Sequence, residues 1–322
     1  CRELGDIYFR NENWPEAGVC YRRVLESFVA GEGSSDYAQK NYRLGLINDK
    51  LGHAENAVEF FQNALRVDPD NLITLESLSQ ALLSLERWEE AQGVIKRILD
   101  GHKDILTMGE LAELYSVLGD LLEKLDQNDE AMLAYSCALD FDSNYGPALK
   151  SLADLELAKE NYGNAVEYLS RFVQVTQLEK RCGLYEYIGD LRFEKLGDVK
   201  GSLAAYLSAS RLEDSTHKTF ETLAQRYLSV NRVEEAIAAM HHAIERCLDY
   251  SMVSKLNCEL GGFYVNYVGD ESKAIECYNA ALDADPVNIE SFEAIERLLA
   301  ARNEWTLLEE NYRLMLVRAK GL

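Results

Sequence analysis

The chain has 322 residues, of which 47% are hydrophobic and 27% are charged, a composition typical of a folded protein with a large core. It contains only four prolines, and because helices exclude proline from their interiors, the composition favours an all-α fold. The 55 acidic and 33 basic residues give a net charge of -22, which repels phosphate backbones and anionic membranes. We therefore expect no nucleic-acid partner.

The cysteines and the hydropathy of the chain bear on its compartment. Seven cysteines are scattered without a C-x-x-C spacing, which favours free thiols in a reducing compartment. No window reaches the ~18 consecutive apolar residues that span a bilayer, so we expect no direct membrane insertion. Because Cys1 already lies inside a helical pattern, we expect a piece of a longer polypeptide. The cytoplasm is the expected location, with the periplasm or a lipid-anchored envelope face as the alternative.

A short pattern of small and apolar residues recurs nine times along the chain. In its clearest form Leu44-Gly45 is followed by Ala57, Phe61 and Ala64. The period stays near 34 residues once loop insertions are allowed for. The small-residue positions, in chain order and ending in a degenerate unit, are Gly5, Gly45, Ser79, Gly119, Ala153, Gly189, Ala224, Gly261 and Glu296.

Each unit is predicted to be an antiparallel helix pair. Apolar residues recur at three- and four-residue steps over two stretches of about a dozen residues, with a polar turn between them. The small residue of the first helix and an alanine of the second allow the two backbones to approach closely. This predicts about eighteen helices in nine stacked pairs and no sheet. The aromatic side chains predicted to fill the volume beside the small residues are Tyr8, Phe61, Tyr135, Tyr206 and Tyr278.

Turn residues divide the chain further. Asp-Pro-x-Asn junctions at 68–71 and 285–288 are predicted to end one helix and cap the next. Glycines such as Gly52 are predicted to end first helices. The run Gly31-Glu32-Gly33-Ser34-Ser35 predicts a flexible joint. The predicted organisation is therefore a truncated first unit over residues 1–30, a joint over 31–37, and a continuous array of about eight units over 38–322, the last degenerate.

The period, the small-residue positions and the Asp-Pro-x-Asn junctions together resemble the tetratricopeptide repeat (TPR) over nearly the whole chain. The irregular units also resemble those of long bacterial scaffolds built from many such repeats. The resemblance implies a right-handed α-solenoid, a superhelix whose first helices line a concave groove. It also implies that this groove holds peptides or partner proteins.

No residue pattern of the sequence indicates catalysis or a cofactor. Among the five histidines only His241 and His242 adjoin, and neighbours on a helix diverge by about 100°, so a metal site is not expected. Residues 31–35 lack the Gly-Lys-Ser/Thr of a phosphate-binding loop. Gly-x-Ser-x-Gly and His-Glu-x-x-His patterns are absent. We therefore expect a protein that is not an enzyme, with no cofactor and no metal.

The residues that face the groove are predicted from their distance to the small residue of each first helix. Positions six before, three before, one after and four after it share one helical stripe. Over units three to seven this stripe is strongly acidic, and a concave wall of one sign focuses electrostatic potential. The predicted partner-binding residues are Glu76, Gln80, Glu113, Asp120, Glu123, Asp154, Glu186, Asp190 and Glu221, with specificity expected from Leu83, Leu157, Phe193 and Leu228.

The favoured hypothesis is a non-catalytic scaffold or adaptor that holds a protein or peptide segment, basic or amphipathic, in its groove. One alternative is a lipid-anchored component of an envelope assembly or secretion machine, with Cys1 as the acylated residue. Another is the regulatory region of a larger enzyme.

Overall fold

The computed structural model describes residues 2–26 and 35–320. Within these residues there are eighteen α-helices and no strand, which confirms the predicted all-α solenoid fold. A π-helical turn, Tyr264–Val268, continues α15. The helices are α1 (Arg2–Arg10), α2 (Trp14–Glu26), α3 (Ser35–Lys50), α4 (Ala54–Val67), α5 (Leu72–Ser84), α6 (Trp88–His102), α7 (Met108–Lys124), α8 (Asn128–Phe141), α9 (Gly146–Ala158), α10 (Tyr162–Val175), α11 (Leu178–Glu194), α12 (Val199–Ser210), α13 (His217–Ser229), α14 (Val233–Arg246), α15 (Tyr250–Phe263), α16 (Glu271–Ala284), α17 (Ile289–Ala301) and α18 (Trp305–Lys320).

The chain divides into two compact units, Cys1–Leu155 and Glu156–Leu322, with the boundary inside α9. In the first unit α1 to α8 form four helix hairpins, and in the second α11 to α18 form four more. Within each unit these helices pack mainly on helices that adjoin them in the chain, which is the one-dimensional packing of a solenoid. The predicted joint at 31–37 does not coincide with this boundary. Residues 35–37 are helical, because α3 begins at Ser35. Residues 31–34 lie outside the described residues.

A glycine of the first helix and an aromatic ring of the second helix close several hairpins. A β-carbon placed on Gly119 would lie 2.5 Å from the ring of Tyr135, and one on Gly261 would lie 2.6 Å from the ring of Tyr278. In the hairpin of Ala224 the equivalent second-helix residue is the aliphatic Met240, and both are fully buried. The absence of a β-carbon therefore makes room for the ring, and a slimmer side chain takes the place of the ring where a β-carbon is present.

The first hairpin corrects one prediction. Tyr21, not Tyr8, is the ring that packs on Gly5: its Cε1 atom would lie 3.1 Å from a β-carbon at Gly5, and Tyr21 is fully buried whereas Tyr8 is half-buried. The reason is positional. Tyr21 lies in the second helix, sixteen residues after Gly5, whereas Tyr8 lies in the same helix as the glycine.

Capping side chains fix the junctions between repeats, as predicted. The Asn71 side chain accepts a hydrogen bond from the Thr74 backbone N–H at the start of α5. Asn288 accepts one from Ser291 at the start of α17. These caps satisfy backbone donors that have no partner within the helix.

The turns between first and second helices each use a residue in the left-handed region. Three of them are glycines, as expected. The other six are not glycine, and their backbone φ angles are near +58°. The residues with positive φ in the described chain are Glu12, Gly52, Glu86, Asp126, Glu160, Gly197, Asn231, Gly269 and Asn303.

The contact between glycine and ring predicts opposite effects of one substitution at two positions of α11. Gly189→Ala would place its β-carbon 2.6 Å from the Tyr206 ring, and overpacking of this kind lowers the free energy of unfolding by about 1–3 kcal/mol. Gly183→Ala meets no atom within 4 Å, so it should raise that free energy by about 0.5–1 kcal/mol through helix propensity. Urea denaturation followed by circular dichroism measures both changes.

The Tyr206→Leu background supplies the control, because leucine leaves room beside position 189. We expect Gly189→Ala to cost less in that background than in the wild type. An equal cost in both backgrounds would contradict the steric explanation.

Candidate functional site

The predicted partner-binding residues lie on first helices in both units: α5, α7 and α9 up to Leu155 in the first unit, α11 and α13 in the second. None of them is buried. Gln80, Glu113, Asp120 and Asp154 are exposed, and the other predicted residues are half-buried. The structure nevertheless separates these acids into carboxylates that serve the fold and carboxylates that have no internal partner.

Asp120 and Glu123 belong to the fold. The hydroxyl of the fully buried Tyr135 lies 2.6 Å from an oxygen of Asp120 and 2.6 Å from an oxygen of Glu123, so the two carboxylates share the one proton that it donates. Burial and these two carboxylates raise the pKa of Tyr135. Both acids are thus engaged within the hairpin of α7 and α8.

The first repeat adds an arginine to the same arrangement. Tyr21 donates to Asp6 at 2.6 Å. Arg43, on the next first helix α3, donates to Asp6 and also to the Tyr21 hydroxyl, the latter at 2.6 Å. We call a carboxylate following the small residue, its tyrosine and an arginine of the next first helix a tyrosine–carboxylate–arginine triad.

A second triad lies in the second unit. Tyr206 donates to Asp190 at 2.6 Å, and Arg226 of α13 is 3.6 Å from Asp190. The guanidinium of Arg226 also lies 3.5 Å from the centre of the Phe193 ring, which is a close cation–π contact. Phe193 is therefore covered and is not the open apolar surface that was predicted. Leu83, Leu157 and Leu228 are also half-buried.

Glu186 is engaged as well, because the Thr219 hydroxyl of α13 donates to it. The side chains of Glu76, Gln80, Asp154 and Glu221, by contrast, make no hydrogen bond or ion pair with the described residues. These four remain available to a ligand.

Like charges crowd the unpaired acids of the first unit. Partial burial raises the pKa of Glu76, and Glu110 of α7 raises it further, while His102 opposes them. On the same helix Glu113 acts with Asp120 to raise the pKa of Tyr145, whose burial is the larger cause. The electrostatic potential around α5 and α7 is therefore negative.

The second unit holds two acids that sequence reasoning missed. Desolvation raises the pKa of Glu259 in α15, and Glu221 and Glu290, on the flanking first helices α13 and α17, raise it further. Glu290 lies six residues before Glu296, so the stripe rule would have found it if it had been extended to the last unit. Glu259 lies two residues before Gly261, outside the predicted stripe, and no signal in the sequence marks it.

A buried cation was also missed. Lys40 is only 1% exposed, and its Nζ lies 3.8 Å from Asp6 and 3.9 Å from Asp36. Burial lowers the pKa of Lys40, and Asp6 opposes that effect. The ammonium also lies 5.2 Å from the centre of the Tyr21 ring. Lys40 therefore extends the first triad and ties α3 to the first hairpin.

The described residues contain no group of histidine, cysteine or acidic side chains arranged to hold a metal ion. No described helix is long and apolar enough to cross a bilayer. All six described cysteines are free thiols, and Cys1, the residue of the lipid-anchor hypothesis, lies outside the described residues.

The buried tyrosines predict a loss of stability at alkaline pH. Burial and the hydrogen bond to Asp6 raise the pKa of Tyr21 from 10.0 to about 12. Between these values the unfolded chain loses the Tyr21 proton and the folded chain keeps it, so this contribution is fully present below pH 10 and is lost as the pH rises through about 12. Urea denaturation at a series of pH values measures the slope.

Tyr21→Phe should make that alkaline slope shallower, because phenylalanine cannot ionise. Tyr187→Phe, at an exposed position, is the matched control and should leave the slope close to that of the wild type. Equal slopes for Tyr21→Phe and the wild type would show that Tyr21 ionises alike in both states.

Comparisons with known proteins agree with this geometry. The tetratricopeptide repeat family model matches residues 39–71, 112–145 and 255–288. The chain is 23% identical over 274 residues to the DnaJ homolog subfamily C member 3 homolog of Dictyostelium discoideum, which covers 75% of this chain and 53% of that protein. It is 22% identical over 142 residues to human tetratricopeptide repeat protein 7A, or 44% of this chain and 15% of that protein. The chain thus spans about half or less of the length of these curated relatives.

Among solved structures, that of Naa15/Naa10 bound to HypK-THB matches with a TM-score of 0.52 and 16% identity, over 82% of this chain and 39% of that chain. This likeness shows the fold alone, an all-α solenoid. Three matched repeats and eight helix hairpins among the described residues identify the chain as a tetratricopeptide-repeat protein.

Proposed function

We propose that the chain is a non-catalytic scaffold that binds a basic or amphipathic segment of a partner protein on the first helices of its repeats. The observation that carries this proposal is the crowding of carboxylates on neighbouring first helices. Where like charges raise the pKa of an acid, the site gains free energy by taking up a positive charge. A lysine or arginine of a partner supplies that charge without protonating the acid.

In the first unit this argument applies to α5 and α7. The carboxylate of Glu76 has no hydrogen bond or ion pair with the described residues, and Glu110 adds to its negative surroundings. An apolar side chain lies beside it, because Ile73, three residues earlier on the same helix, is 60% exposed. A charged group next to an apolar one suits an amphipathic ligand better than a purely basic one.

A cavity of about 560 Å³ continues this surface towards α3 and is lined by Gln39, Tyr42, Ile73 and Thr74, among other residues. Its walls combine an aromatic ring, an aliphatic side chain and polar groups. This combination supports the binding of a side chain from an extended segment.

In the second unit the argument applies to α13, α15 and α17. Glu221 and Glu290 both raise the pKa of the intervening Glu259. Because each acid comes from a different first helix, a ligand that contacts all three must run across the repeats. Individual exposed ion pairs contribute only ~0–1 kcal/mol, so the summed potential of several acids is the quantity that matters.

The proposal predicts the effect of removing four charges from first helices. The variant Glu76→Gln, Glu113→Gln, Glu221→Gln and Glu259→Gln should bind a synthetic amphipathic peptide with lysines on its polar face about tenfold more weakly than the wild type, which is ~1.4 kcal/mol. The wild-type affinity should also fall as salt is raised, because salt screens exposed charges. Fluorescence anisotropy of the labelled peptide measures both effects.

The matched control removes the same charge from second helices, by Glu89→Gln, Glu130→Gln, Glu167→Gln and Glu276→Gln, all at exposed positions. It should bind the peptide within about twofold of the wild type if the site is local. Equal weakening of both variants would mean that net charge alone attracts the peptide, and the proposal would be wrong. It would also be wrong if a peptide with glutamates in place of the lysines bound as tightly.

A further inference from the structure

One repeat of the second unit has the tyrosine of a triad but lacks its carboxylate. Tyr278 packs on Gly261 as Tyr206 packs on Gly189, yet the residue that follows Gly261 is Gly262, where Asp190 follows Gly189. Tyr278 is only 7% exposed, and its hydroxyl has no hydrogen-bond partner among the described residues. The ring is thus covered, while the hydroxyl lies at the wall of a cavity and can donate a hydrogen bond to a ligand.

The arginine of the triad is also in place. Arg297 lies on α17, the next first helix, and its charge opposes the burial that raises the pKa of Tyr278. Its Nε donates to the Glu293 carbonyl at 3.3 Å, and none of the described carboxylates is within ion-pair distance of its guanidinium. Arg297 thus has nitrogen donors without a carboxylate partner, and it lines the same cavity as Tyr278.

A cavity of about 630 Å³ occupies the region between them. A β-carbon placed on Gly262 would meet only the Asn266 amide nitrogen, at 4.0 Å, so the side-chain space next to Gly262 is open. Two acids and two bases line the cavity: Glu259, Glu290, Lys255 and Arg297. The two bases offset the two acids at this wall, whereas Glu221, which adds to the negative charge at Glu259, is not one of the lining residues.

We propose that this cavity binds the side-chain carboxylate of an aspartate or glutamate from a partner segment, which takes the place of the missing triad carboxylate. The Tyr278 hydroxyl and the Arg297 guanidinium donate to it, as Tyr21 and Arg43 donate to Asp6 in the first repeat. Charge-assisted hydrogen bonds of this kind are stronger than neutral ones. The inference rests on the proposed function only in placing a ligand on the first helices, and it adds an acidic residue within a segment that is otherwise basic.

The test supplies the carboxylate from the chain itself. Gly262→Asp should complete the triad and close the site, and Gly262→Ala fills the same position without a carboxylate. The probe is the N-acetyl, N-methylamide derivative of aspartate, with the asparagine derivative as its neutral control. Binding is followed by NMR of chain labelled with 13C on its tyrosine rings, with the Tyr278 signal assigned from Tyr278→Phe.

We expect the aspartate probe to shift the Tyr278 signal saturably in the wild type and in Gly262→Ala, with an affinity at least about tenfold higher than that of the asparagine probe. Gly262→Asp should show no saturable shift, and Arg297→Gln should weaken binding. Gly262→Asp should also have a higher Tm than Gly262→Ala, and Tyr278→Phe should remove that difference.

Three results would overturn the inference. They are equal shifts by the aspartate and asparagine probes, undiminished binding of the aspartate probe to Gly262→Asp, and equal Tm values for Gly262→Asp and Gly262→Ala. The probe carries no basic group, so its failure would leave the salt-sensitive binding of the lysine peptide untouched. Loss of lysine-peptide binding would in turn leave the probe experiment valid.

Discussion

The close approach of a second-helix ring to a first-helix glycine is the contact on which most of the structure depends. It sets the separation of the two helices in a hairpin, because the ring occupies the space that a β-carbon would need. It also carries the tyrosine hydroxyl across the hairpin to the residue that follows the glycine. Packing and charge are therefore linked: where that next residue is Asp6, Asp120 or Asp190, the same tyrosine that fills the core also holds the acid.

This link divides the acidic residues of the first helices into two kinds. Asp120 and Asp190 have a buried donor and contribute to the stability of their own hairpins. Glu76 and Glu221 have no such donor, so their carboxylates remain available to a ligand. Reversing the charge of the first kind would disturb the fold as well as binding, so a test of ligand recognition has to use the second kind.

The period and hydrophobic pattern of the sequence predicted the eighteen helices of the described residues and eight of the nine helix pairs, because helix formation and hairpin packing are local and repeat along the chain. Longer-range details were less accessible. Residues at the left-handed turn positions include Glu86 and Glu160, which have no intrinsic preference for that region, so turn geometry imposed by the two helices overrides local propensity.

The candidate site was predictable only in part for a related reason. A distance rule along one helix places acids on a face, but it contains nothing about the second helix. A rule that includes a tyrosine sixteen residues after the glycine would have separated Asp120 from Glu76 and replaced Tyr8 with Tyr21. The surroundings of Glu259 and Lys40 include charged residues of neighbouring repeats. A pattern within a single repeat therefore cannot predict them.

The π-helical turn after α15 shows how one repeat accommodates an extra residue. Tyr278 lies seventeen residues after Gly261, whereas Tyr135 lies sixteen after Gly119, yet both rings pack on their glycines. The extra residue is taken up where the first helix ends, as the Gly269 N–H donates to the Tyr264 carbonyl five residues back. An insertion inside the helix would rotate all later side chains by about 100°. In this repeat the single-residue insertion lies at the end of the first helix, a place where the length can vary during evolution or protein engineering while the core is kept.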